Sequence, residues 1–356
     1  MAISVSELQR ALALRDLTDP AHGPHAMQVL LDAILAVLPA PARVHRGSPI
    51  ISIADNYDRL GYPPDGAARD ARYTRYVCES AVLRSQTSAM LPPLLARVSE
   101  DDVVLVCPGL VYRRDVIDRH HVGEPHQVDL WRIATRPLDE RDLDEMIAAV
   151  VAAALPGRPW TTQPARHPYT TAGRQIDVDG VEIGECGLAA IAPPGRWGLA
   201  MGLGLDRLVM LRKGIDDIRL LRATDPRIAS QMQDLSPYRA VSMMPVVQRD
   251  LSIAVDAPLD AEALGDAVRS ALGDRADLLE SCTILSTTPA LALPPAAQAR
   301  LGIAEGQHNV LIRLVLRAVD RTLTHAECNA LRDDVYAALH RGTVHVWASR
   351  GTPDFR

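Results

Sequence analysis

The chain has 356 residues, which is enough for two domains that each bury their own core. Apolar residues make up 47% and charged residues 23%, as in ordinary globular proteins, and no apolar run approaches the roughly 20 residues that a membrane-spanning helix needs. The net charge of −6 excludes a globally basic nucleic-acid-binding protein, so such a ligand would need a local basic patch.

The amino-terminal part of the chain contains three predicted helices. Apolar residues at helical spacing predict helices over 6–14 and 26–38. A third helix is predicted over 83–98, where Ser85 or Thr87 would cap its first turn.

The middle of the chain is typical of an antiparallel sheet flanked by helices. A strand, a loop and a second strand are predicted over 102–131, and a helix over 142–155. The 175–183 stretch predicts a hairpin with a turn at Asp179-Gly180. A strand that leads into a helix is predicted over 197–213. This order favours an α+β fold over a parallel βαβ fold.

Beyond a predicted linker over 225–239, the pattern changes to two strand–helix–strand repeats, the order of a ferredoxin-like fold. The strands are predicted over 249–255, 278–286, 310–317 and 343–348, and the helices over 261–272 and 324–339. Thr324 and Glu327 make a capping box, so they need no functional interpretation.

The five cysteines are scattered and odd in number: Cys78, Cys107, Cys186, Cys282 and Cys328. This spacing indicates neither a disulfide framework nor a zinc cluster, and free thiols are typical of a reducing compartment. The start of the sequence also lacks the apolar stretch of a signal peptide. The sequence therefore predicts a cytoplasmic protein.

Two stretches concentrate groups that suit an anionic ligand. In Val111–His121, arginines, acids and histidines follow an apolar strand, and Arg113 could hold a phosphate with its planar fork, although such a run is also typical of a solvated charged hairpin. In Gly202–Leu211, two glycines would allow close approach of a ligand, and Arg207 follows at the start of a helix.

With the polar cluster at 84–88, these stretches resemble the catalytic core of class II aminoacyl-tRNA synthetases, above all phenylalanyl-tRNA synthetases of the single-chain mitochondrial type. Val111–His121 resembles the second motif of the family, and Gly202–Met210 resembles the third. The resemblance covers nearly the whole chain. It implies a class II catalytic core over 1–235 and a ferredoxin-fold anticodon-binding-like domain over 241–350.

The resemblance implies ATP-dependent formation of an aminoacyl-adenylate, followed by transfer of the amino acid to tRNA. Arg113 and Arg207 would be catalytic and would contact ATP, with His121, Glu182 and Gly204 as further ATP-binding residues. Glu182 would also help to hold Mg²⁺. Two alternatives stay open: Glu182 as an ordinary strand carboxylate, and His121 as a packing residue.

The amino-acid pocket departs from the pattern of the family. The positions implied to bind the amino acid are Gln86, Ser88, Gln127, Asp129, His167, Tyr169 and Glu185. Gln86 replaces a histidine, Asp129 is a shorter carboxylate, and His167 and Tyr169 replace two phenylalanines. Glu185 adds a carboxylate. Phenylalanine would leave these polar groups unpaired, so we expect a more polar substrate, unless His167 and Glu185 pair with each other.

The acceptor and the assembly are less well defined by the sequence. From residue 241 onward the chain has 11 arginines, no lysine and 14 acidic residues, and such a negative domain is unfavourable for phosphate contacts. A tRNA acceptor is expected but in doubt. A paralogue that passes the amino acid to a carrier protein or small molecule, or a non-catalytic binder, is the alternative. A homodimer is also left open.

Overall fold

The computed structural model describes residues 2–241 and 245–345, which form two compact units. Among the described residues, the first contains 2–113, 124–221 and 226–239, and the second contains 114–123, 222–225, 240–241 and 245–345. The second unit thus includes the loop 114–123, which lies within the sequence of the first unit. A single boundary in the sequence therefore cannot divide the chain into these two units.

The helices and strands have the following bounds. The α-helices are α1 (Val5–Ala13), α2 (Ala26–Leu35), α3 (Ile53–Asn56), α4 (Leu91–Leu95), α5 (Glu140–Ala154), α6 (Leu205–Lys213), α7 (Pro226–Ala229), α8 (Ala261–Leu272), α9 (Pro295–Leu301) and α10 (His325–Leu339). The strands are β1 (Ala42–Val44), β2 (Ile50–Ser52), β3 (Tyr76–Cys78), β4 (Ala81–Leu83), β5 (Asp102–Leu110), β6 (His126–Ala134), β7 (Trp160–Pro164), β8 (Thr170–Val178), β9 (Val181–Ala189), β10 (Trp197–Gly204), β11 (Val247–Val255), β12 (Leu279–Pro289) and β13 (His308–Leu316).

A seven-stranded sheet in the order β1-β5-β6-β10-β9-β8-β7 forms the centre of the first unit. Only β1 pairs in parallel, with β5; the other pairs are antiparallel. The α+β prediction with an antiparallel sheet is therefore confirmed. The hairpin prediction is also confirmed, because Asp179 and Gly180 both have positive φ angles, 53° and 77°, as a tight type I′ turn requires.

The two faces of this sheet have different surroundings. Residues alternate between the faces along each strand, so Val128 and Leu130 of β6 lie on the face opposite to Asp129 and Trp131. Helices α5 and α6 contact strands of the sheet, and α2 packs against both helices. On the other face, Trp131 joins Leu91 of α4 in a buried apolar cluster.

The helix predicted over 83–98 is wrong in its extent and in its cap. A 3-10 helix (Thr87–Met90) precedes the short α4, which has Pro92 in its first turn. Neither Ser85 nor Thr87 caps a helix, because the residue before the 3-10 helix is Gln86, which makes no capping hydrogen bond. The Thr87 hydroxyl donates instead to Asp129, a partner 42 positions away that local sequence cannot reveal.

The segment predicted as a linker is in fact packed against the first unit. It contains α7, and the buried Lys213 of α6 donates from Nζ to the carbonyl oxygens of Asp234 (2.7 Å) and Ser236 (2.6 Å). The Tyr238 N–H donates to the Lys213 carbonyl at 2.7 Å.

In the second unit, three antiparallel strands lie in the order β11-β13-β12, and α8 and α10 pack against each other. The fourth strand, predicted over 343–348, is not seen in 343–345, and 346–348 lie outside the described residues. The ferredoxin-like assignment therefore stays a prediction.

The loop 114–123 is held in this unit by both main-chain and side-chain contacts. Arg269 of α8 donates to the carbonyl oxygens of Asp115 and Val116. Ile117 forms a β-bridge with Cys282 of β12, and Arg119 donates to Glu280 at 2.8 Å.

No helix within the described residues is long and apolar enough to cross a membrane.

Candidate active site

Three neighbouring strands bring Asp129, Gly202 and Glu185 into one row across the central sheet. Gly202 of β10 is paired with Asp129 of β6 on one side and with Glu185 of β9 on the other. Residues that face each other in antiparallel strands project from the same face. A Cβ atom added at Gly202 would meet only the two Asp129 carboxylate oxygens, both at 3.9 Å. The glycine therefore leaves open space beside the Asp129 carboxylate.

Asp129 is buried, and its carboxylate accepts hydrogen bonds from three side chains. The donors are Thr87 Oγ1 at 2.6 Å, Ser88 Oγ at 2.8 Å and Trp131 Nε1 at 3.0 Å. Burial raises the pKa of Asp129, and hydrogen bonds from the three side chains and from the Ser88 backbone oppose this effect by stabilising the charged form.

Gln86 and Gln127 are both engaged with the strands and turns around this row. Gln86 accepts from the Tyr62 hydroxyl at 3.0 Å and donates to the Asn56 carbonyl at 3.0 Å. Gln127 accepts from the Thr87 N–H at 3.4 Å. The two amides therefore fix the polypeptide around the site.

An aromatic cluster adjoins the row of Asp129, Gly202 and Glu185. The centre of the Tyr169 ring lies 5.6 Å from that of Trp131, 5.7 Å from His167 and 6.3 Å from Tyr62. The Tyr169 hydroxyl lies 3.5 Å from Ser88 Oγ. Burial raises the pKa of Tyr62 to about 12 and also raises that of Tyr169, so both phenols are neutral.

His167 and Glu185 form an ion pair with Nε2 and Oε2 2.5 Å apart. The hydrogen bond to Glu185 raises the pKa of His167. The two side chains therefore pair with each other, which is the alternative that the sequence left open. The expectation that they would be unpaired is wrong. The Glu185 side chain is still 40% exposed, against 15% for His167.

The predicted phosphate-binding residues follow the strand ends at one edge of the sheet. Leu110, the last residue of β5, pairs with His126, and Gly204, the last of β10, pairs with Gln127. β5 and β10 lie on either side of β6 and both end beside its first residues, so Arg113 and Arg207, each three residues further on, follow the same end of these strands.

The two arginines differ in what they contact. The Arg113 carbonyl accepts from Arg75 Nη2 at 3.2 Å, while its own Nε is buried without a hydrogen-bond partner among the described residues. Arg207 donates from Nη1 to the Glu182 carbonyl at 3.0 Å, and the Glu182 carboxylate lies 3.7 Å from the same atom. A buried guanidinium N–H without an acceptor suits an anionic ligand.

His121 belongs to the second unit. Its Nδ1 lies 2.8 Å from both carboxylate oxygens of Asp118. This contact accounts for the histidine without an ATP molecule, so its ATP-binding role stays a prediction.

The fit of Mg²⁺ depends on the nucleotide as well as on the protein. No group of three or more histidine, cysteine or acidic side chains within the described part of the chain could hold a metal ion by itself. Mg²⁺ is commonly bound through one or two carboxylates together with substrate phosphates, an arrangement that the partly exposed Glu182 fits.

Sequence reasoning missed several residues of the site. Trp131 follows Asp129 by two positions, which places both on one face of β6, so strand alternation could have identified it. His126 was also missed. It is buried, donates from Nδ1 to Asp206 (3.2 Å) and accepts from the Leu17 N–H (3.0 Å), and it thereby holds the start of α6 next to Arg207. These partners lie 109 and 80 positions away, so no local pattern reveals them.

Comparisons with known proteins agree with this geometry. A family model described as the class II core domain of tRNA synthetases (F) matches residues 21–232. The alpha subunit of phenylalanine–tRNA ligase from Prochlorococcus marinus (strain MIT 9313) is 34% identical over 53% of this chain and 59% of its own length. A probable mitochondrial phenylalanine–tRNA ligase from Drosophila melanogaster is 25% identical over 88% of this chain and 83% of its own. The chain thus spans less than two thirds of the bacterial alpha subunit.

Two solved structures of pyrrolysyl-tRNA synthetase from Desulfitobacterium hafniense align with TM-scores of 0.45 and 0.47, at 19% and 18% identity. They cover 61% and 65% of this chain and 78% and 82% of their own. The family match extends over more than half of the residues and contains the Asp129 row, Arg113 and Arg207. The chain therefore belongs to the class II core family of tRNA synthetases.

Proposed function

We propose that this chain activates an amino acid with ATP and transfers it to tRNA, in the manner of a phenylalanine–tRNA ligase. The observation that carries this proposal is the row of Asp129, Gly202 and Glu185, which offers open space beside a buried carboxylate. The names of the bacterial and mitochondrial relatives support the same reaction.

Asp129 is proposed to receive the ammonium group of the amino acid. Its carboxylate is held in one orientation by Thr87, Ser88 and Trp131, so an incoming ammonium does not have to order it. Gly202 leaves room for the main chain of the substrate, whose carboxylate would then point along the sheet. Gln127 precedes Asp129 by two residues on β6 and is paired with Gly204. It is proposed to contact the same substrate.

Arg113 and Arg207 are proposed to hold the ATP phosphates beyond that end of the strands, with Gly204 as a further nucleotide contact. The ATP-binding role of His121 stays a separate prediction. In the first step the substrate carboxylate attacks the α-phosphate, an adenylate forms and pyrophosphate leaves. No protein nucleophile is required. Positive charge beside the α-phosphate stabilises the transition state, which is the role of the Arg113 guanidinium. Mg²⁺, held with the help of Glu182, would supply further positive charge.

The first test is amino-acid-dependent exchange of pyrophosphate into ATP, measured with a panel of aromatic, polar and cationic amino acids. We expect exchange with at least one amino acid. Arg113→Met and Arg207→Met should each lower the exchange rate by about 10²–10³-fold, the usual effect of removing one electrostatic contact to the transition state. Arg212→Met is the matched control, because Arg212 lies on the same helix and contacts only the Ala154 carbonyl, at 3.5 Å, in the described contacts.

The second test is charging of unfractionated tRNA with the amino acid that supports exchange. Charging would support the complete proposal. Exchange without charging would favour delivery of the activated amino acid to a non-tRNA acceptor. The acidic composition of the chain from residue 241 onward, which is unfavourable for tRNA binding, motivates this test. Folded protein that exchanges with no amino acid would contradict the proposed activity and favour a non-catalytic binder.

A further inference from the structure

The far end of the substrate row is formed by an ion pair that contains Glu185. Because Gly202 separates Glu185 from Asp129, the two carboxylate-bearing positions are two strand spacings apart, about 10 Å. An amino acid whose ammonium binds Asp129 and whose side chain lies over Gly202 therefore points that side chain towards Glu185. This distance suits a side chain as long as a para-substituted phenyl ring.

The space beside this row favours a flat ring. Tyr169 packs against Trp131 and presents an aromatic surface next to the Asp129 carboxylate. The polar groups of both rings have partners already: Trp131 Nε1 donates to Asp129, and the Tyr169 hydroxyl lies beside Ser88. Trp131 itself is fully buried, so it is the partly buried Tyr169 that offers a ring face rather than a free donor, and a ring face favours an aromatic side chain.

The ion pair itself offers an acceptor. His167 Nε2 lies 2.5 Å from Oε2 of Glu185, and 40% of the glutamate side chain is exposed. Each carboxylate oxygen has two acceptor sites, so the exposed carboxylate can also accept from a hydroxyl or an amine. A phenyl ring without a polar substituent would displace water from this carboxylate without donating a hydrogen bond in return, which costs free energy.

We propose that the His167–Glu185 pair determines specificity, and that the side chain of the substrate is an aromatic ring with a hydrogen-bond donor at the far end, a hydroxyl or an amine. This inference rests on the proposed function for the placement of the ammonium group. It names the amino-acid class, which that function leaves unspecified. Phenylalanine, which lacks this donor, is expected to bind more weakly than such a substrate.

The test compares the binding and activation of phenylalanine, tyrosine and 4-aminophenylalanine by the 356-residue chain. Dissociation constants are measured by calorimetry without ATP, and kcat/KM is measured by pyrophosphate exchange. We expect tyrosine or 4-aminophenylalanine to bind at least about 10-fold more tightly than phenylalanine, the effect of one satisfied hydrogen bond to a charged group. Equal binding, or tighter binding of phenylalanine, overturns the inference.

Variants identify the pair as the cause. Glu185→Gln should reduce the preference by about 10-fold, and the double variant His167→Phe with Glu185→Ala, which leaves no unpaired charge, should favour phenylalanine. Glu140→Gln is the matched control: Glu140 also pairs with a strand residue, Arg174, but its side chain is 59% exposed and Arg174 keeps Asp144. A preference unchanged in both Glu185 variants contradicts the inference. Because binding is read without ATP, absence of exchange bears only on the proposed activity.

Discussion

A Cβ atom on Gly184 would lie 2.1 Å from the carbonyl oxygen of Gly202, whereas a Cβ atom on Gly202 itself would meet nothing closer than 3.9 Å. The two glycines lie on adjacent strands, yet one permits close packing of backbone and the other leaves space for a ligand. Strand sequence alone does not distinguish these roles.

Alanine substitutions separate the two roles. Gly184→Ala should destabilise the fold by about 1–3 kcal/mol, because its methyl group overlaps backbone that cannot move aside cheaply. Gly202→Ala should change the free energy of unfolding by less than about 1 kcal/mol, yet weaken amino-acid binding by about 10-fold or more, because the methyl group occupies the substrate position. Urea denaturation and calorimetry measure the two effects. Tight substrate binding by Gly202→Ala would place the substrate elsewhere.

The Asp129 carboxylate should matter for stability as well as for binding. Asp129→Ala leaves the buried donors of Thr87, Ser88 and Trp131 without their acceptor, so we expect a loss of about 1–3 kcal/mol in the free energy of unfolding. Thr87→Ala removes one donor and retains the carboxylate, and should cost less. If the two variants are equally stable, solvent satisfies the three donors, and the carboxylate is not what orders them.

The His167–Glu185 pair predicts a pH-dependent contribution to stability. Glu185 raises the pKa of the folded imidazole above its unfolded value, with smaller contributions of the same sign from Asp129 and Glu182. The stabilisation is therefore fully present below the unfolded pKa and is lost as pH rises through the folded pKa. The pair is partly exposed and screened, so we expect no more than about 1 kcal/mol.

The measurement compares wild type with Glu185→Gln by urea denaturation at about pH 5.5 and about pH 8.5, on either side of an ordinary imidazole pKa. The wild type should have the greater advantage at the lower pH. An advantage that is the same at both pH values, or larger at the higher one, would mean that His167 is not charged by its contact with Glu185. Glu140→Gln should show no such change between the two pH values.

In the second unit, Gly265 is required by the close approach of the loop 114–123. A Cβ atom at Gly265 would lie 2.5 Å from the Asp115 carbonyl oxygen. Alanine normally improves a helix by about 1 kcal/mol over glycine, so a net destabilisation by Gly265→Ala would have to come from this contact. We expect that destabilisation, together with faster tryptic cleavage after Arg114 and Arg119.

Ser270→Ala is the control, because Ser270 is exposed on the same helix. It should leave both the free energy of unfolding and the cleavage pattern close to those of the wild type. Gly265→Ala with wild-type stability and protease resistance would mean that the loop moves aside at little cost.

The sequence predicted the strands of the central sheet better than it predicted the contacts between distant segments. Alternation along β6 and the Asp179-Gly180 turn are local, so the strands and the hairpin could be predicted from neighbouring residues. The role of Thr87 could not, because its hydroxyl competes between capping a helix and binding Asp129, and only the tertiary fold decides. The pairing of His167 with Glu185 likewise depends on a contact between segments that the sequence does not order in space.

The membership of 114–123 in the second unit has a consequence for biosynthesis. More than a hundred residues separate this loop from the main part of its unit, which begins at Ala240. At roughly 5–20 residues per second, the ribosome needs about 6–23 s to synthesise the residues between them. During that time β5 and β6 can already pair, while Arg269 and Cys282, which hold the loop, do not yet exist. The loop between β5 and β6 is therefore among the last parts of the nascent chain to acquire its final contacts.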